Sequence, residues 1–298
     1  MRIIANTNLL GHDHGLNLTC ATTAAARKYL ASSLNAVRKG PDHAYAKPGY
    51  FASEKDLFTL VSQRTGTEER RHPITYLAEA ADDIVYSVVD IEDAIEKRIL
   101  QWRDAEEFLD ESCKDSNLYT RIMQRVTAQL AGPDQSDNAS GQSFRVNAIS
   151  ELVIATVKVF AHRYDEIMLG QYKHELVQDD SYEGRAVIAA CKRLLREKVF
   201  QQKEVLRLEV RGRRVIHDLM DLFWEGVSEF LTTRETTTGT YAGKLYLLIA
   251  ESYRRLFERR LAANSQDGTY LGLQLVTDYV SGMTDGFACR LHEELVNG

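Results

Sequence analysis

Proline is nearly absent, with four in 298 residues, and glycine is held to 18. Few positions therefore forbid or interrupt a helix. Alternation of apolar and polar residues, the mark of a half-buried strand, is also scarce, and long stretches free of both breakers carry apolar residues at helical spacing. The fold class is read as all-α, with amphipathic helices joined by short polar connections. Cysteine is sparse as well. Cys20, Cys113, Cys191 and Cys289 are scattered with no C-x-x-C pair, which excludes a disulfide framework and a zinc ribbon and leaves reduced thiols. No apolar run approaches the ~20 residues that cross a bilayer. The opening MRIIANTNLLGHDHG has no signal-peptide core or cleavage site, so a cytoplasmic location without a membrane partner is expected. Positive charge is not in excess either. The net charge of −6 disfavours a dedicated nucleic-acid binder. What the chain does have is apolar bulk, 44% of residues, enough for one large domain or two smaller ones.

The chain is organised around the stretch that starts at Arg71-His72-Pro73. Pro73 suits a first helical turn, and no further proline or glycine follows until well past Ile99. Leu77, Ala81, Ile84, Val85, Val88, Ile91, Ile95 and Ile99 recur at helical spacing and predict one apolar face. Asp82, Tyr86 and Asp90 stand at i, i+4 and i+8 in one stripe, with Glu79 and Asp93 beside them. Such a stripe is ordinarily a solvated face. At the border of an apolar face, however, a half-buried carboxylate needs a cation, a metal or several donors to stay ionised.

Elsewhere Thr19 is the predicted N-cap of a helix ending near Lys28. Breakers then mark a loop to Gly49, and a short helix covers Asp56 to Val61. Helical patterns follow over Trp102 to Leu109 and Asn117 to Leu130. The polar run from Gly132 to Gly141 predicts a boundary, giving residues 1–131, a linker 132–143 and a helical subdomain 144–298. A long helix is expected from Phe144 to Leu169, burying Val146, Ile149, Leu152, Val153, Val157 and Phe160. Another spans Ala186 to Arg207, and a further one 214–231. If one helix continued through Gly212, Lys203, Arg207, Arg211 and Arg214 would form a basic stripe. That stripe could meet nucleic acid or another subunit's phosphates, but a solvated face paired with Glu204 and Glu209 is the simpler reading. His12-Asp13-His14 and His217-Asp218 are read as decoys for a metal site, because neither has a companion motif.

Four segments together resemble one family. HPITYLAEAADDIVYSVVDIEDAIEKRI, GLNLTCATTAAARKY, KPGYFASE and TDYVSGMTDGFA are similar to stretches of the dGTP triphosphohydrolases, a bacterial branch of the HD-domain phosphohydrolases. The resemblance runs from residue 1 to about residue 292. It implies a multi-helix HD-domain-like bundle with a helical C-terminal subdomain. It also implies that Asp82 is the last aspartate of a metal site, and that Tyr86 and Asp90 contact the deoxyribose. Lys28 and Tyr29, with Lys47, match substrate-binding positions on the phosphate side. Two lysines suit a polyphosphate, since each is a compact cation that neutralises charge without fixing one geometry.

The activity implied is hydrolysis of dGTP or another dNTP to the deoxynucleoside and tripolyphosphate, with a divalent metal, Mg or Mn. The family's E-G-N-A-Q segment and its His…His-Asp motif have no counterpart here. An N-terminally truncated enzyme chain is therefore expected, with its metal weakly held or absent and no catalytic residue assigned. A non-catalytic helical protein for nucleotide binding or assembly is the alternative. A dNTP substrate, dGTP favoured, and a homo-oligomer are the implied partners. Nucleic acid has no support beyond the basic stripe.

Overall fold

The computed structural model describes residues 2–7, 15–38, 40, 42–130, 136–263 and 267–296. Among these every regular element is helical, and the β-type pairing is confined to an isolated bridge between Ala31 and Pro48. The all-α expectation holds. The chain divides into two compact units, built chiefly on Asn17–Gln202 and on Lys203–Gly298. His12-Asp13-His14 lies outside the described residues.

In the first unit, α1 (Cys20–Ala25) has Thr19 as its N-cap, whose hydroxyl accepts from the Thr22 amide. The helix stops short of Lys28 because Arg27 turns inward. Its guanidinium donates to the Phe58 carbonyl, to Ser62 Oγ at 2.9 Å and to Thr67 Oγ1 at 3.1 Å. Those partners lie on α2 (Lys55–Thr65) or just after it; the helix is longer than predicted and closed by Gly66 in the left-handed region. Next comes α3 (Pro73–Glu96), with His72 as N-cap and Pro73 in the first turn.

The buried face of α3 matches the predicted one at Ile84, Val88, Ile91 and Ile95 and departs from it at Leu77, Ala81 and Val85. Tyr76, Ala80, Ile84, Val88, Ile91 and Ile95 are buried, whereas Leu77 is half-buried and Ala81 and Val85 are exposed. The stripe is turned toward α6 (Asp137–His162), its most extensive neighbour. The contact face of α6 is largely not the predicted one. Phe144, Ala148, Leu152, Ala155 and Val159 are buried together with Ser140, Ser143, Asn147 and Glu151, while Val146, Val153 and Val157 are exposed. Small and polar side chains let the helix axes approach: a Cβ on Gly141 would lie 3.1 Å from Ile95 Cδ1. Glu151 is buried on the side of α6 that meets residues 117–129, where Arg121 and Arg125 each reach it at 2.9 Å.

The predicted linker 132–143 also needs correction. Residues 132–135 lie outside the described residues; Ser136 caps α6, residues 137–143 are helical with Ser140, Gly141 and Ser143 buried, and the division between units falls after Gln202. At its other end α6 stops at His162, and the expected continuation is a separate short helix, α7 (Tyr164–Met168). The unit is completed by α4 (Trp102–Cys113), α5 (Asn117–Gln129) and α8 (Arg185–Leu194), α4 packing on α8 and α5 on α6. All four cysteines are free, and burial pushes the Cys113 thiol up to about 11.

The second unit is built on α9 (Lys203–Thr233), which runs unbroken through Gly212. Around it lie α10 (Tyr241–Leu248), α11 (Glu251–Ala263), α12 (Gly268–Ser281) and α13 (Asp285–Val296). Leu219, Phe223, Val227, Tyr246, Phe257, Leu275 and Tyr279 share its core. Gly226 lets α10 close on α9, since a Cβ there would sit 2.6 Å from the Tyr246 amide nitrogen. The basic stripe exists, but Arg211 pairs with Glu293 and Arg214 with Asp218, each at 2.8 Å, rather than with Glu204 and Glu209. Asp218 also holds His292 Nε2 at 2.8 Å, so the His217-Asp218 pair serves packing.

One buried carboxylate stands out in the first unit. Burial opposes ionisation of Asp179, but the hydroxyl and amide of Ser181, then Arg163 and Tyr172, donate to it and hold its pKa well below the usual range. A depressed carboxylate contributes stability that is complete above its unfolded pKa of about 3.9 and is lost as pH falls toward the folded value. Asp179→Asn is therefore expected to cost about 2 kcal/mol near neutral pH. In urea unfolding that gap should be constant between about pH 6 and 8 and should narrow below about pH 4.

Candidate functional site

Lys28, Tyr29 and Lys47 come from two loops that the sequence holds together tightly. Leu30 donates to the Ala44 carbonyl and Gly49 to the Ala31 carbonyl, each at 2.8 Å. Pro48 forms the bridge with Ala31. Glycine is required after it, because a Cβ on Gly49 would lie 1.9 Å from the Tyr29 carbonyl oxygen. The K-P-G order thereby sets Lys47 against Tyr29. The Lys28 and Lys47 ammonium groups lie 5.7 and 5.6 Å from the centroid of the same Tyr29 ring.

Lys28 also reaches α3. Its ammonium is 3.3 Å from Glu79 Oε1, and the other oxygen of Glu79 takes Arg71. Glu79 and Arg71 are both buried, at 4% exposure each. Burial alone would depress the Lys28 pKa, yet Glu79, with Tyr29 and Asp83, outweighs it and raises the pKa. His43 stands in the same cluster, its Nε2 being 3.2 Å from Glu79 Oε1 and 2.8 Å from Glu175 Oε1. Asp42 caps the turn that carries His43. The Tyr76 hydroxyl, donating to the Tyr172 carbonyl at 2.6 Å, ties the loop before Glu175 to α3. Burial raises the pKa of Glu175 more than His43 lowers it, and Glu79 adds to the rise.

The other carried-over residues continue the same side of α3. Asp82, Tyr86 and Asp90 lie three, seven and eleven residues beyond Glu79, which at 1.5 Å per residue puts them about 5, 11 and 17 Å along the helix from it. Asp82 and Tyr86 are exposed and Asp90 is half-buried. Partial burial, then Asp93, raises the Asp90 pKa. Neighbouring Asp83 is taken by Lys192 at 2.7 Å. Lys28, Tyr29 and Lys47 are thus brought together at the Glu79 end of this stripe.

Among the described residues, the group of His, Cys, Asp and Glu donors close enough to share a metal is His43, Glu79 and Glu175, and Asp82 is not in it. Asp82 alone does not make up a metal site. The sequence reading missed His43 and Glu175, which no motif marks, and treated Glu79 only as a neighbour of the stripe. A glutamate at a helical position that shares the buried face with Tyr76 and Ala80 was the available signal.

Comparison with known proteins bears on the whole chain. Residues 176–294 match the phosphohydrolase-associated domain. A deoxyguanosinetriphosphate triphosphohydrolase-like protein of Listeria monocytogenes is 29% identical over 299 residues, 99% of this chain and 63% of its own length. A deoxyguanosinetriphosphate triphosphohydrolase of Klebsiella pneumoniae is 28% identical over 304 residues, 94% of this chain and 60% of its own. The chain is similar along its length to the dGTP triphosphohydrolase family. A Synechocystis protein named as triphosphohydrolase-like gives 29% over 305 residues, 99% of this chain and 63% of its own. The chain thus spans 60–63% of the length of these relatives. Among the described residues no helix is long and apolar enough to cross a membrane.

The buried pair and the half-exposed cation should separate in stability measurements. Arg71→Met leaves Glu79 charged without its buried partner and is expected to cost about 3 kcal/mol in chemical denaturation. Lys28→Met should cost under about 1 kcal/mol, because solvent already screens the ammonium.

Proposed function

We propose that this chain carries the phosphate-facing and sugar-facing side of a deoxynucleoside triphosphate triphosphohydrolase site. The observation that carries the reading is the pairing of Lys28 and Lys47 over one tyrosine ring, in a chain similar over nearly all its length to proteins named dGTP triphosphohydrolases. The two ammonium groups would neutralise part of the triphosphate charge. Lys28 would exchange Glu79 for a phosphate oxygen on binding. Tyr86, exposed on the outer side of α3, offers a ring to stack on the deoxyribose, and Asp90 offers an acceptor for its hydroxyl. Asp82 would supply one carboxylate toward a divalent metal, Mg or Mn. Water would attack the phosphate next to the sugar, giving the deoxynucleoside and tripolyphosphate.

A homo-oligomer belongs to the same reading. Val146, Val153, Ile154 and Val157 leave an apolar stripe on the outer side of α6, a surface of the kind that association covers.

Calorimetric titration with dGTP tests the proposal. Binding should far exceed that of deoxyguanosine, and Lys28→Met and Lys47→Met should each weaken it about tenfold, as expected for loss of a charged hydrogen bond. Tyr86→Ala should weaken deoxyguanosine and dGTP alike, because it acts on the sugar. Equal affinity for dGTP and deoxyguanosine, or indifference to both lysine substitutions, would contradict the reading. Where turnover is seen, tripolyphosphate is the expected product and pyrophosphate the contrary one.

A further inference from the structure

Three segments distant in sequence bring one nitrogen and two oxygen donors to a point. Candidate ligand atoms of His43, Glu79 and Glu175 all lie within 4.8 Å of one another, the His43 Nε2 contacts being 2.8 and 3.2 Å. Donors held at about 2.0–2.2 Å from a common ion lie roughly 3–4 Å apart, so little movement separates this arrangement from a coordination shell. These contacts do not have hydrogen-bond geometry. His43 Nε2 and Glu79 Oε1 are buried with no hydrogen-bonded partner among the described residues. Such atoms are costly to bury unless something else fills the point they face.

At present that role falls to Lys28. Its ammonium is 3.3 Å from Glu79 Oε1, and its side chain is 34% exposed. It is a cation on a flexible stem with a path to solvent. Arg71, by contrast, is buried and holds the other oxygen of Glu79. We propose that His43, Glu79 and Glu175 form a site for one divalent transition-metal ion, and that the ion and the Lys28 ammonium exclude each other there. An ion of charge +2 balances the two carboxylates with a neutral imidazole, and Lys28 is then surplus and repelled. The donor set of one imidazole and two carboxylates favours zinc, cobalt, manganese or iron(II) over magnesium or calcium, which take oxygen donors and water. His43 and Glu175 are both partly exposed, at 29% and 19%, which leaves a route of entry. The site does not use Asp82, although it shares Lys28 and Glu79 with the dNTP reading.

The test is titration of the tag-free, chelator-treated chain with zinc, followed by calorimetry and checked with the visible absorption of cobalt. One equivalent should bind. His43→Gln and Glu175→Gln, both at partly exposed positions, should weaken binding by about tenfold or more. Asp82→Ala and the double substitution His12→Ala with His14→Ala should leave that equivalent in place. Lys28→Met should tighten it severalfold, a gain that misfolding cannot produce. Binding that survives His43→Gln, or the absence of any binding, would overturn the site. Zinc affinity unchanged in Lys28→Met would overturn the exclusion. Loss in Asp82→Ala with His43→Gln unaffected would overturn this site while leaving the dNTP reading intact.

Discussion

A single buried carboxylate sets the terms for the surroundings of α3. Glu79 has 4% of its surface exposed, and a charge so placed must be met from several sides or it destabilises the fold. Arg71 meets it from the chain just before the helix, Lys28 from the loop after α1, and His43 from the turn at residues 43–45. Glu175 enters through its contact with His43. Each segment that approaches α3 at this point therefore brings a side chain answering to Glu79. The same requirement places one of its cations, Lys28, partly exposed beside the buried carboxylate.

The positions of these groups depend on close backbone contacts more than on side-chain packing. Gly49 lies against the Tyr29 carbonyl where no other residue fits, and it delivers Lys47 to the ring that Lys28 also faces. Gly141 does the equivalent at the contact of α6 with α3. Bringing the two helices close buries Ile84, Val88, Ile91 and Ile95 and makes α3 a rigid support for Glu79 and for the stripe beyond it.

That reliance on small residues explains what could be read in the sequence and what could not. The start of α3 and the all-α class were legible because proline, capping residues and helical spacing act locally. The run of α9 was left conditional, since Gly212 decides it. The face of α3 was legible at Ile84, Val88, Ile91 and Ile95, whereas that of α6 was largely misplaced because spacing was scored on bulky residues. Val146, Val153 and Val157 are bulky yet exposed, whereas Ser140, Asn147 and Ala155 are not bulky and lie inside. The described part of the predicted linker is helical for a related reason: a polar composition is compatible with a helix that buries small polar residues such as Ser140 and Ser143. Lys28, Tyr29 and Lys47 could be picked out only because their segments resemble those of a known family; composition and spacing alone mark them as solvated side chains. His43 and Glu175 could not, since only the folded chain brings them to Glu79.

The account turns on Lys28 and Lys47 acting as one phosphate-binding pair. The most direct measurement follows the lysine Cε–Hε NMR signals while tripolyphosphate is added. The signals of Lys28 and Lys47 should move together and saturate at the same concentration, with Lys28 losing the shift imposed by Glu79, while Lys203 on α9 stays in place. Movement of Lys203 with Lys28 and Lys47 unmoved would contradict the account.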